Sequence, residues 1–194
     1  MLIGDIADIR SGMVITRKKA MNKNEVKAIY DMFTLKNVDS LNEPFEQFQS
    51  NDVLSPQHFT EEGDILFRLN HPYSATYIDA SKKRLLIPST FAVIKVQVDF
   101  FLPEYVAWYL NTAFVKKELE KAHSGTKIPS TNKGTLSAIP IEKLDLEKQR
   151  GMVQLYKLHL QEKQLLTSLI EEKEKLLQAQ INKVLQGVYQ EEIT

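Results

Sequence analysis

The sequence predicts an α+β protein: a domain with a curved, mostly antiparallel sheet over residues 1–143, followed by a long coiled-coil helix over residues 144–194. Three observations carry that reading. Short apolar segments with period-two alternation, broken by turn signals, fill the first part. From Asp145 onward there is no proline, and glycine is confined to Gly151 and Gly187. Over that same stretch apolar residues recur in steps of three, four and seven.

Taken in order, Leu2, Ile3, Ile6 and Ile9 make a short apolar opening that ends at Ser11-Gly12. Asp31-Met32-Phe33-Thr34-Leu35 reads as a strand, as does Asp64-Ile65-Leu66-Phe67-Arg68-Leu69, entered through the turn Glu62-Gly63. Phe91-Ala92-Val93-Ile94-Lys95-Val96-Gln97-Val98 is the clearest strand, because β-branched residues suit a pleated surface. Pro103-Glu104-Tyr105 opens a helix expected to run to Lys121. Proline is harmless in a first turn, and Tyr105, Trp108, Tyr109 and Ala113 recur with helical spacing. Residues 124–134 form a loop of small residues.

The C-terminal pattern has two apolar stripes. Leu165, Leu169 and Leu176 form one; Leu166, Ile170, Leu177, Ile181, Val184 and Val188 form the other. A helix from Glu147 to Val188 spans about 60 Å at roughly 1.5 Å per residue. That overhangs a domain whose radius of gyration is about 14 Å. The two stripes are wider than a simple two-stranded seam, so one is expected to pack on its own domain and the other on a partner.

Composition narrows the class. The 194 residues suit one ordinary domain plus an appendage, and 43% hydrophobic residues suffice for a core. The absence of cysteine excludes disulfides, thiolate metal sites and cysteine nucleophiles. No apolar run approaches the roughly 20 residues that cross a bilayer, and Met1-Leu2-Ile3-Gly4-Asp5 does not read as a signal peptide. A cytoplasmic protein without a membrane partner is expected.

The net charge is zero, but its distribution is uneven. Residues 10–27 carry six Lys/Arg against Glu25, a net of +5. Residues 28–64 carry Lys36 against eight acids, a net of −7, and residues 65–95 carry five Lys/Arg against Asp79, a net of +4. Two basic blocks flank an acidic one. A local positive face can bind phosphates on a neutral molecule, and ordinary solvated charge produces the same pattern.

No catalytic constellation is visible. Asn70-His71-Pro72-Tyr73 is close to the Asn-Pro-Pro-Tyr loop of amino-methyltransferases, but no glycine-rich loop follows a strand to hold a methyl donor. Gly134-Thr135 lacks a P-loop context. His58, His71, His123 and His159 are too scattered to form a local metal site, and Glu171-Glu172-Lys173 lies on the helical rod. No metal, cofactor or catalytic residue is expected.

The remaining signals resemble one family when read in order. Leu2-Ile3-Gly4-Asp5-Ile6-Ala7-Asp8-Ile9-Arg10-Ser11-Gly12 resembles the opening of a target-recognition domain in type I restriction-modification specificity subunits. Glu62-Gly63-Asp64-Ile65-Leu66-Phe67-Arg68 is similar to that family's Gly-Asp-Ile-Leu strand. Ser124-Gly125-Thr126, then Leu136-Ser137-Ala138-Ile139-Pro140-Ile141, resembles its closing segment. Leu146-Glu147-Lys148-Gln149-Arg150 resembles the Glu-x-Gln start of its long helix. The family pattern holds two recognition domains and two long helices. This sequence carries one of each and lacks the proline common just before the helix.

The resemblance implies a non-catalytic subunit that reads one half-site of a split target in double-stranded DNA and recruits a methyltransferase subunit, with a restriction subunit as a possible further partner. The expected DNA contacts are Arg17, Lys18, Lys19, Lys23, Arg68, Lys82, Lys83, Arg84, Thr126, Lys127 and Lys133. Arginine is the better reader of guanine edges, and lysine more often serves phosphates. The expected dimerisation contacts are Leu165, Leu166, Leu169, Ile170, Leu176, Leu177, Ile181 and Val184, in an antiparallel homodimer. The competing class is an interaction or scaffold protein that uses its coiled-coil helix and binds no DNA.

Overall fold

The structure is a computed structural model that describes residues 1–39, 44–121 and 130–191, with the backbone alone at residue 39 and residues 186–191. The chain divides into two compact units, Met1–Arg150 and Gly151–Thr194.

The first unit is α+β. A one-turn helix α1 (Ile3–Ile6) runs directly into strand β1 (Ala7–Ser11), which pairs antiparallel with β6 (Phe91–Val96). β6 pairs antiparallel with β4 (Ile65–Arg68), and β4 with β5 (Ser74–Tyr77), giving the order β1-β6-β4-β5. Strands β2 (Ala28–Met32) and β3 (Glu46–Ser50) form a separate antiparallel pair.

Alternation along these strands defines two faces. Leu66, Val93 and Phe91 lie on one face and pack with Phe33, Ile78, Leu85 and Ile87. Met32, Phe48, Leu54 and Leu86 form a second cluster under the β2–β3 pair, with Met13 and Ile15 against it. Leu86 joins the two layers: its N–H donates to Asp31, and its carbonyl accepts from Phe33.

Two expected elements are placed differently. The strand expected at 31–35 lies at Ala28–Met32, and helix α2 (Leu35–Asp39) follows it. The Asn37 carboxamide oxygen accepts from the Thr34 N–H at 2.9 Å and the Thr34 hydroxyl at 2.8 Å. That side-chain bonding offers the backbone a turn in place of a ladder.

The helix expected over 103–121 is two helices, α3 (Pro103–Leu110) and α4 (Ala113–Lys121). Asn111 separates them. Its side chain accepts from the Ala75 N–H at 2.9 Å and donates to the Ala75 carbonyl at 2.7 Å, so it completes the edge of β5.

Helix α5 (Lys133–Ser137) begins at Asn132, whose side chain accepts from the Thr135 N–H. Helix α6 (Leu146–Glu191) runs unbroken through Gly151. Asp145 caps it: its carboxylate accepts from the Lys148 N–H at 2.9 Å, which holds that carboxyl below its ordinary pKa. The antiparallel sheets and the long C-terminal helix agree with the expected fold class.

Candidate nucleic-acid interface

The first basic stretch is held along β3. Arg17 and Lys18 close a 3-10 turn (Ile15–Lys18), and Lys19 bridges antiparallel to Ser50. The Ala20 N–H donates to Gln49, the Asn51 N–H to Lys18, and the Lys27 N–H to Ser50. Lys23 lies in a further 3-10 turn (Lys23–Glu25), where Asn22 accepts from the Asn24 and Glu25 N–H groups. Arg17, Lys19, Lys23 and Lys27 project as exposed side chains from backbone fixed at both ends.

The second stretch is clasped by one buried hydroxyl. Thr60 donates to the Lys82 carbonyl at 2.6 Å and accepts from the Leu85 N–H at 2.9 Å. Between these anchors Arg84 adopts φ 66, a left-handed conformation, and its N–H donates to the Thr60 carbonyl. Its side chain is exposed.

Arg68 stands at the end of β4 opposite Ser74. One guanidinium nitrogen reaches the His71 carbonyl at 3.4 Å, while its Nε and the Ser74 hydroxyl are buried without a partner. The same hairpin end carries Ser130 and Thr131, through the bridge Asn70–Ser130 and the Thr131 N–H to the Leu69 carbonyl. Lys133 follows at the start of α5. The fold thus brings Arg68 beside the end of the small-residue loop. Thr126 and Lys127, expected from that loop, lie outside the described residues.

The charge blocks neutralise one another in space. Three acids of the acidic block each take a lysine from a basic one: Asp52 holds Lys18 at 2.6 Å, Glu62 holds Lys83 at 2.6 Å, and Glu61 holds Lys95. The bonded lysines push the Asp52 and Glu61 carboxyls below their ordinary values, and Glu61 raises Lys95. Lys82 pairs with Asp79, and Lys133 lies 4.0 Å from Asp8.

The arginines behave differently. Among the described residues, none of the five arginines of the chain forms an ion pair. Arg10, which opens the first basic stretch but is not among the expected DNA contacts, is one of them. It lies on β1 opposite Val93, on the face that also carries Lys95. Its signal in the sequence is alternation: within Ala7–Ser11 it stands opposite in phase to the buried Ala7 and Ile9. A guanidinium outside an ion pair keeps its forked donors available for a phosphate or a guanine edge.

The sequence of the second unit contains no arginine, and its feature is apolar. Leu165, Leu166, Leu169, Ile170, Leu176, Leu177, Ile181 and Val184 are all exposed, between 41% and 72%. Among the described residues no group of three or more His, Asp or Glu could hold a metal ion, and no helix is long and apolar enough to cross a membrane.

No family model and no curated protein matches this sequence. Solved structures do. The HsdS subunit from Thermoanaerobacter tengcongensis matches with a TM-score of 0.65 and 17% identity, over 90% of this chain and 45% of that one. The S subunit of a type I restriction-modification system from M. genitalium matches at 0.56 and 13%, over 90% and 42%. A chain from a structure of the assembly of a type I R-M system matches at 0.57 and 19%, over 84% and 38%. This chain therefore spans less than half the length of each neighbour. It has the fold of type I restriction-modification S subunits.

Proposed function

We propose that this chain is a DNA specificity subunit of a type I restriction-modification system. It reads one half-site of a split target, recruits a methyltransferase subunit and performs no chemistry itself. The observation that carries the reading is the fold, an antiparallel-sheet unit followed by one long helix, shared over 90% of the chain with an HsdS subunit.

Two features support it. Among the described residues, Arg10, Arg17, Arg68 and Arg84 stay outside ion pairs, while Lys18, Lys82, Lys83, Lys95 and Lys133 are matched by acids. On this reading arginine does the contacting, with Lys19 and Lys23 serving phosphates. The exposed stripe of α6 seats a second copy antiparallel, which creates a two-fold axis and pairs two identical recognition units.

One observation favours the competing reading, an interaction protein that binds no DNA. The pairs Lys18–Asp52, Lys83–Glu62 and Lys95–Glu61 remove much of the positive charge that the sequence promises. A gel shift of the purified chain on random duplex, stepped in salt, separates the two. The specificity-subunit reading expects binding that weakens steeply with salt, at about 0.9 counterions per phosphate neutralised. No shift at low salt, with or without a co-purified methyltransferase subunit, selects the interaction protein.

A further inference from the structure

The outer face of the β2–β3 pair carries side chains for which the fold itself has no use. Alternation divides the pair in two. Tyr30, Met32 and Phe48 turn inward to the cluster of Leu54 and Leu86, and Ile29, Asp31, Gln47 and Gln49 stand outward, all exposed. The register sets Ile29 opposite Gln49 and Asp31 opposite Gln47. Ile29 is 55% exposed, although an apolar side chain gains by burial. Among the described residues neither glutamine side chain has a hydrogen-bond partner.

The platform under these groups is firm. β3 pairs with β2 along one edge; along the other, Lys19 bridges to Ser50 and the Ala20 N–H donates to the Gln49 carbonyl. Cations flank the face. Arg17, Lys19 and Lys23 belong to the stretch beside β3, and Lys27 leads into β2. Among the described residues none of these four forms an ion pair. Amides, a carboxylate and an aliphatic group do not attract phosphate, whereas the flanking cations do. That division suits a groove of duplex DNA, with base edges at the centre and phosphates at the rims.

We infer that Gln47 and Gln49 read adenine edges in the major groove of the half-site. This rests on the specificity-subunit reading above. A glutamine amide donates to adenine N7 and accepts from the adenine N6 amine, a pair of partners that the minor groove does not offer. The major groove is about 12 Å wide and admits a two-stranded ribbon, whose strands lie about 4.8 Å apart. Side chains two positions apart on a strand are separated by about 6.8 Å, within reach of bases one or two steps of about 3.4 Å from each other. Ile29, across from Gln49, supplies the apolar contact that a thymine methyl takes. Asp31, across from Gln47, is an acceptor for a cytosine amine.

The test uses the purified chain with its methyltransferase subunit. The preferred duplex is selected from a random pool, and each adenine of its half-site is then replaced in turn by 7-deazaadenine, which lacks the N7 acceptor and still pairs with thymine. Wild type, Gln47→Ala and Gln49→Ala are titrated with every such duplex and with one of random sequence. Gln57→Ala, in the 3-10 turn Pro56–His58 outside the ribbon, is the control. All three glutamines are exposed, so the substitutions leave the core untouched.

Replacing a contacted adenine should weaken wild-type binding by about fivefold or more, the lower end of what one bidentate pair discriminates. Gln47→Ala and Gln49→Ala should each lose at least as much on the selected half-site and nothing on random duplex. Each should also become indifferent to the 7-deaza change at its own adenine, while Gln57→Ala behaves as wild type. Wild-type affinity for the selected half-site in both variants overturns the inference, as does 7-deaza sensitivity that both variants retain. Equal losses on selected and random duplex overturn it too, because the ribbon then serves the DNA backbone or a protein surface. A wild-type chain that enriches no sequence overturns the specificity-subunit reading instead.

Discussion

Asp52 holds Lys18 at 2.6 Å across the end of β3, tying a lysine of the first basic stretch to an acid of the block that follows it. Glu62 does the same to Lys83 at 2.6 Å. Both pairs are close to half exposed, so solvent screens them and they add little to stability. Their larger consequence is for binding, because they set how many cations face a phosphate backbone.

Releasing those lysines should therefore strengthen binding. Asp52→Asn with Glu62→Gln is expected to tighten non-specific duplex binding and to steepen its salt dependence by up to about 0.9 for each lysine freed. Binding titrations at several salt concentrations check this. An unchanged slope means that neither lysine faces DNA.

Arg84 offers a separation of function from stability. A non-glycine residue in the left-handed region carries a cost of about 1 kcal/mol or more, which glycine avoids at some expense in unfolded-state entropy. Arg84→Gly should leave the melting temperature equal or slightly raised while weakening DNA binding. Thermal unfolding and a gel shift on the same preparation decide it. A protein that melts lower, or one that binds as before, contradicts the role assigned to this side chain.

Asp64 gives the first unit a distinctive pH dependence. It is 1% exposed; one carboxylate oxygen accepts from the Glu61 N–H and the other has no donor. Burial pushes its carboxyl above the usual carboxylate value, against the pull of Arg10 and Lys95. An acid whose pKa is raised on folding contributes fully below its unfolded value of about 3.9, and that contribution declines as pH rises toward the native value. Relative to the wild type, Asp64→Asn should therefore become progressively more stable between pH 4 and neutrality. Denaturant unfolding at both ends of that window measures the difference. A difference that is constant with pH would contradict the raised native pKa.

The exposed stripe of α6 makes a prediction about assembly. Leu169→Asp with Leu176→Asp places two charges where an apolar seam is expected, and a buried unpaired charge is strongly unfavourable. Light scattering should find a dimer for the wild type at tens of micromolar and a monomer for the variant. A wild-type monomer at that concentration contradicts the antiparallel pair.

What was legible in the sequence was whatever depended on neighbours in the chain. β6 stood out because Phe91-Ala92-Val93-Ile94 is apolar and β-branched, and it proves buried on both faces. The long helix stood out through its period, and the start of α3 through the proline in its first turn. What was hidden depended on partners far away. Nothing near Asn111 says that its side chain will bond to Ala75, 36 residues earlier, and so split one expected helix into two. Gln149 reads as an ordinary polar position until Phe100 and Leu102 are seen beside it. The charge blocks were legible as runs, but which lysines would be consumed by Asp52, Glu61 and Glu62 was not, because it depends on how β3 and the turn before β4 fold back.

The most direct test of the specificity-subunit reading is selection from a random duplex pool by the purified chain with its methyltransferase subunit, followed by sequencing of the retained DNA. Two antiparallel helices relate identical recognition units by a two-fold axis, so the retained DNA should carry an inverted repeat with an unread gap between its halves. Helices of about 60 Å cap the separation of the halves at roughly 18 base pairs of about 3.4 Å each. Inverted half-sites at one fixed gap below that limit are the predicted result. Retained DNA with an asymmetric site would contradict the homodimer, and a pool left without any enriched sequence would contradict the reading altogether.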